Sequence, residues 1–124
     1  MKKFIILLSS FIYLFAFNSE ISLFENLFGV MFKKTTIKVY TTKYKQLSGN
    51  LKIVNSCEKA DIVLGDVKCP NKPQSVLDYD SFKQDKNAIG GFYWRKGRPQ
   101  LRLRKNNLLK YKLFVSKEFK EYLN

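Results

Sequence analysis

The stretch Ala88–Lys105, AIGGFYWRKGRPQLRLRK, decides how this chain is read. It gathers the single tryptophan, all the arginines and the pair Gly90-Gly91. Apolar and polar residues alternate on both sides of Lys96-Gly97, the pattern of two antiparallel strands joined by a two-residue turn, with Gly97 supplying the positive φ that such turns need. Counting outward from the turn sets Arg95 opposite Arg98, Trp94 opposite Pro99, Tyr93 opposite Gln100, Phe92 opposite Leu101 and Gly91 opposite Arg102. Strand side chains alternate, so Phe92, Trp94, Pro99, Leu101 and Leu103 fall on one side, and Tyr93, Arg95, Arg98, Gln100, Arg102 and Arg104 on the other. One side is expected to be core and the other cationic. Pro99 has no N–H to donate and belongs at a strand start or on the outer edge of the ribbon.

With 124 residues the chain makes one domain at most, and its first segment reads as separate from that domain. Residues 1–19 begin with Lys2-Lys3, run apolar from Phe4 to Phe17 and turn polar at Asn18-Ser19, the layout of a secretory signal peptide. The apolar run is shorter than the roughly 20 residues a spanning helix needs. Leu14 or Phe17 would sit three back from the available cleavage points, where small residues are preferred, so an uncleaved anchor is the alternative. Export to the periplasm gives the two cysteines a meaning: Cys57 and Cys69 are expected to form a disulfide in a compartment where disulfides persist.

Residues 20–34 carry Leu23, Phe24, Leu27, Phe28 and Met31 at helical spacing, which predicts a short amphipathic helix covering the core or, alternatively, lying on a membrane surface. Residues 35–124 read as a small α/β domain. Strands are expected over Thr35–Thr41, Leu51–Asn55 and Ala60–Gly65, the last with the uninterrupted run Ile62-Val63-Leu64 of a strand covered on both faces. Residues 43–47 and 81–86 are each a polar turn or short helix, and Ser75–Asp80 includes a short strand or turn. After the hairpin, Asn106 or Asn107 is expected to cap a helix reaching Tyr111 or Leu113, and Ser116 a last helix over Lys117–Leu123.

Composition excludes several chemistries. The chain has no histidine and two cysteines, so neither a four-ligand zinc site nor a Ser-His or Cys-His nucleophile can be built, and nothing points to a cofactor. Asp61, Asp66, Asp78 and Asp80 are too scattered to nominate a catalytic carboxylate pair. The formal charge of +13 favours acidic partners, anions or membrane surfaces. Lysine is spread along the chain, whereas arginine is concentrated on the hairpin, and its guanidinium fork suits carboxylate and phosphate. The plain alternative is a solvated face whose arginine stems cover aromatic rings. Nucleic acid is not expected as the partner of an exported protein.

From Asn55 onward the order of features resembles the small periplasmic regulators of the YfiR type and, more distantly, one lobe of periplasmic solute-binding proteins. The resemblance rests on Cys57 before the apolar strand Ala60–Gly65, the Gly-aromatic strand Gly90-Gly91-Phe92, the Gly97-Arg98 turn feeding an alternating strand to Leu103, and Leu108–Val115 ahead of Ser116. It implies an α/β, exported, non-catalytic protein that restrains an inner-membrane signalling enzyme, in the YfiR case a cyclase making cyclic di-GMP. The interval between Cys69 and Gly90 is shorter than in that family. The expected binding surface is Tyr93, Arg95, Arg98, Gln100, Arg102 and Arg104, docking on a membrane signalling protein. The alternative is a module for a small anion such as phosphate, held by backbone N–H groups of the Gly65-Asp66 loop and of Gly90-Gly91.

Overall fold

The computed structural model describes residues 20–123, and the expected signal peptide lies outside them. One six-stranded mixed sheet organises the chain, with strand order β2-β1-β3-β4-β5-β6. The strands are β1 (Ile37–Thr41), β2 (Leu51–Ile53), β3 (Ile62–Leu64), β4 (Gln74–Val76), β5 (Gly90–Arg95) and β6 (Arg98–Leu103). β1 to β5 pair in parallel, and β6 closes the row antiparallel to β5. The helices are α1 (Glu20–Phe32), α2 (Tyr79–Gln84) and α3 (Lys105–Lys110), followed by a 3-10 helix over Lys117–Tyr122. This is the α/β class expected, with a hairpin followed by helices.

The two sides of the sheet are filled differently. Ile37, Val39, Ile62, Leu64, Phe92, Leu101 and Leu103 form one core with Leu23, Phe24, Leu27, Phe28 and Met31 of α1, closed by Leu108 of α3 and by Phe119. The helical spacing of α1 therefore serves the core. On the opposite side lie Val63, Gln74 and Val76, which strand pairing aligns with Gly91. Gln74 donates to the carbonyls of Gly65 and Val67, so the connection from β3 to β4 lies over this side.

Parallel neighbours usually need a helical crossover of a dozen or more residues. Here residues 42–50, 54–61 and 65–73 make the crossings without a helix. That is possible because β2, β3 and β4 are three residues each, about 10 Å, a span that a few extended residues retrace. Such segments lack the internal hydrogen bonds of a helix. Cys57, in the second crossing, is disulfide-bonded to Cys69, in the third, with Cα atoms 5.5 Å apart. The bridge joins two otherwise irregular coverings of the sheet. Reducing it, or replacing both cysteines with serine, is expected to cost about 2–4 kcal/mol and to lower Tm by roughly 10–20 °C. Thermal unfolding by circular dichroism with and without reductant reads this directly; an unchanged Tm would mean that the crossings are held by other contacts.

Of the turn or short helix expected over 43–47, the structure takes the non-helical form. α3 starts earlier than predicted, with Arg104 rather than an asparagine at its N-cap position. Asn107 instead uses its amide to donate to the carbonyls of Lys86 and Ala88, tying α3 to the chain entering β5. A long-range contact takes the side chain that the local cap would have used. The last segment is a 3-10 helix, with Leu123 bridging to Leu103 at the edge of β6.

Candidate functional site

The hairpin forms in the register that counting from its turn predicts, from Gly91 opposite Arg102 to Arg95 opposite Arg98. Lys96 and Gly97 have φ of 53° and 74°, both positive, as a two-residue turn matched to strand twist requires. The sides of the ribbon depart from expectation at two aromatic positions. Trp94, expected in the core, is 54 % exposed; it lies beside the first residue of α1, and its indole N–H donates to Glu20 Oε1 at 3.3 Å. Tyr93, expected on the open cationic side, is buried. α2 packs over it, with the Tyr79 ring edge-on at 5.6 Å and the Phe82 ring tilted at 5.9 Å.

The arginines divide into two kinds. The Arg95 guanidinium lies 3.9 Å above the Tyr79 ring, and that of Arg104 3.9 Å above Phe82. Arg104 also donates to the carbonyls of Phe82, Asp85 and Ala88. Its guanidinium is therefore committed to the fold: β6 ends at Leu103, and half-buried Arg104 is held against the end of α2. Burial is the main influence lowering its pKa, partly offset by Asp85. Arg104→Ala is expected to cost about 1–3 kcal/mol by leaving those carbonyls short of donors. Arg98→Ala and Arg102→Ala should stay within about 0.5 kcal/mol. Urea unfolding of the three variants tests this division, and equal midpoints would refute it.

Arg98 and Arg102 are exposed on the outermost strand. The ion pairs found among the described residues are Lys34–Asp61 and Lys68–Asp85, so neither arginine is neutralised by an acid there. Arg95, Lys96, Arg98 and half-buried Gln100 line an open concavity of about 550 Å³. The edge of β6 itself offers little backbone pairing. In this register the N–H positions of Pro99, Leu101 and Leu103 point outward; Pro99 has none, and Leu103 bridges to Leu123. What this strand presents to its surroundings is mainly side chains, not a free edge for strand addition.

The loop candidates fare differently. Gly90 and Gly91 are buried inside β5, paired on both sides, so they belong to no loop and present no N–H groups to an anion. Gly65 donates its N–H to the Ser75 carbonyl at 2.9 Å. Asp66 is exposed and accepts from the Ser81 hydroxyl at 2.8 Å, while the Ser81 N–H donates to Asp78 at 2.9 Å. Two carboxylates scattered in sequence thus meet around one serine: Asp78 caps α2, and Asp66 takes the serine hydroxyl. Its polar contacts with Ser81, the N–H bond among them, hold Asp78 below the usual carboxylate range. At the same strand-end edge, Tyr44 donates to Glu20, and burial foremost, then that bond, pushes its hydroxyl well above the ordinary tyrosine range.

The Glu20–Tyr44–Trp94 cluster escaped sequence reading, since it joins residues up to 74 positions apart and carries no local pattern. Fold and site define an α/β protein with a mixed sheet and a basic edge hairpin. Comparison with known protein families, curated proteins and solved structures finds no match.

Proposed function

We propose that this is an exported, non-enzymatic binding protein of the periplasm, a regulator in the manner of the YfiR type. Its basic hairpin docks on an acidic patch of an inner-membrane signalling protein and adjusts that protein's output. The observation that carries the reading is the composition of the hairpin surface. Arg98 and Arg102 stand exposed without an acidic partner among the described residues, beside a concavity walled by Arg95 and Lys96, with an exposed tryptophan at the tip. Arginine and tryptophan are the residues that most often anchor protein interfaces, and a guanidinium fork pairs bidentately with carboxylates. The disulfide and the layout of residues 1–19 support export. The competing small-anion reading has less support, because the amides of Gly65, Gly90 and Gly91, three of its expected donors, are engaged within the sheet.

The test is crosslinking in living cells with a tagged copy, followed by identification of what is captured. Recovery of one inner-membrane signalling protein, reduced at least tenfold by Arg98→Glu with Arg102→Glu, is the expected result. Equal recovery by parent and variant would remove the hairpin from the mechanism. Arg104 is left intact, because its reversal would disturb the fold.

A further inference from the structure

Residues 1–19 join the described fold at Glu20, and Glu20 is the residue that the hairpin tip touches. Its carboxylate accepts from the indole of Trp94 and from the hydroxyl of Tyr44. Between Glu20 and the end of the apolar run at Phe17 stand only Asn18 and Ser19. Three residue steps reach at most about 10 Å. Whatever surface receives the run Phe4–Phe17 therefore lies within reach of Trp94, Lys96 and Lys45.

We infer that the hairpin tip rests on an anionic lipid surface next to the N-terminal segment, with Trp94 at headgroup depth and Lys96, Lys45 and Arg95 against lipid phosphates. This goes beyond docking on a protein: it assigns Trp94, Lys96, Lys45 and Arg95 to lipid and leaves Arg98, which flanks the turn opposite Arg95, and Arg102 for the protein partner. It rests on the export in that reading and takes residues 1–19 as the uncleaved anchor, the alternative to a cleaved signal peptide.

Three observations carry it. Trp94 is 54 % exposed although its side of the ribbon is otherwise core, and an amphipathic ring at an interface is where tryptophan is enriched in membrane-facing proteins. Lys96 occupies the turn itself, and Lys45 follows the Tyr44 that bonds Glu20; both are exposed. Three of the acids at this edge are engaged by neighbours. Glu20 is held between Tyr44 and Trp94, Asp66 and Asp78 are engaged at Ser81, and Lys43 faces Asp78 and is left out of the surface. Asp80 is exposed in the first turn of α2, next to the Tyr79 ring that Arg95 covers. Each basic side chain near an anionic leaflet contributes about 1 kcal/mol, a factor of about five in affinity, which salt screens. Lys2-Lys3 on the far side of the apolar run agree with a chain whose domain stays outside.

Trp94 is the chain's only tryptophan, so its emission reports the tip directly. The full chain is reconstituted in vesicles of phosphatidylcholine with 30 % phosphatidylglycerol, as a chosen probe, and in phosphatidylcholine alone, each with and without brominated acyl chains. The expected result is a blue shift and strong quenching in the anionic vesicles, lost at high salt and lost in Lys45→Glu with Lys96→Glu although the chain stays vesicle-bound. Far-UV circular dichroism of that variant checks that it is folded. Absence of quenching in anionic vesicles overturns the inference and returns the tip to the protein interface. Equal quenching in both lipids, insensitive to the two reversals, overturns it too, because the apolar segment alone would then bring the ring to the bilayer. Neither outcome bears on capture through Arg98 and Arg102, which is read in cells with different substitutions.

Discussion

Gly90→Ala is expected to be the most damaging single-methyl change in this chain, costing about 4 kcal/mol or more and preventing the variant from holding its hairpin in register. A Cβ at Gly90 would be driven into the carbonyl oxygen of Arg102 on the paired strand and would lie 2.9 Å from the Leu103 side chain. A backbone oxygen in a ladder cannot rotate away as the end of a side chain can. β6 would have to lift from β5, and the core residues Leu101 and Leu103 would lift with it. Total stability for a domain of this size is about 5–15 kcal/mol, so the variant should melt at least roughly 15 °C below the parent or fail to accumulate folded. Gly91→Ala is the internal control: the added methyl meets the side chains of Phe82 and Val76 at 3.0 Å, and those can shift by tenths of an ångström. If Gly90→Ala melts with the parent in circular dichroism, the close approach of β5 to β6 is wrong.

Phe24→Ala should cost about 3–5 kcal/mol, the range for deleting a fully buried phenylalanine. Phe24 is wholly inaccessible and joins three parts of the molecule. It stacks on Phe28 within α1 at 5.5 Å, meets Phe92 of β5 edge-on at 5.8 Å, and meets Tyr44 of the β1–β2 connection edge-on at 6.3 Å. Its loss opens a cavity where helix, hairpin and loop converge, and it also slackens Tyr44, which orients Glu20. Denaturant unfolding should show a lower midpoint with an unchanged slope. A cost below about 1 kcal/mol would mean that α1 is not seated on the sheet as described. Val30→Ala, on the exposed side of the same helix, should change stability by less than about 0.5 kcal/mol.

Local rules were sufficient wherever one segment satisfies its own geometry. A two-residue turn leaves a single register, so Lys96-Gly97 determined the pairing of every residue from Gly91 to Arg102. The spacing of Leu23, Phe24, Leu27, Phe28 and Met31 determined which face of α1 is buried, and Ile62-Val63-Leu64 announced a strand covered on both sides. The pairing of Cys57 with Cys69 followed from two cysteines read as exported. The tertiary structure decided what lies over each side. Alternation says that Tyr93 and Arg104 point away from the core, but not that α2 will be laid across them, burying one ring and drawing the guanidinium onto three carbonyls. Nor does it say that Trp94, on the apolar side, will project past the core beside Glu20. These outcomes depend on contacts between elements distant in sequence, where the position of a whole helix, set by its summed packing, overrides the preference of any one residue.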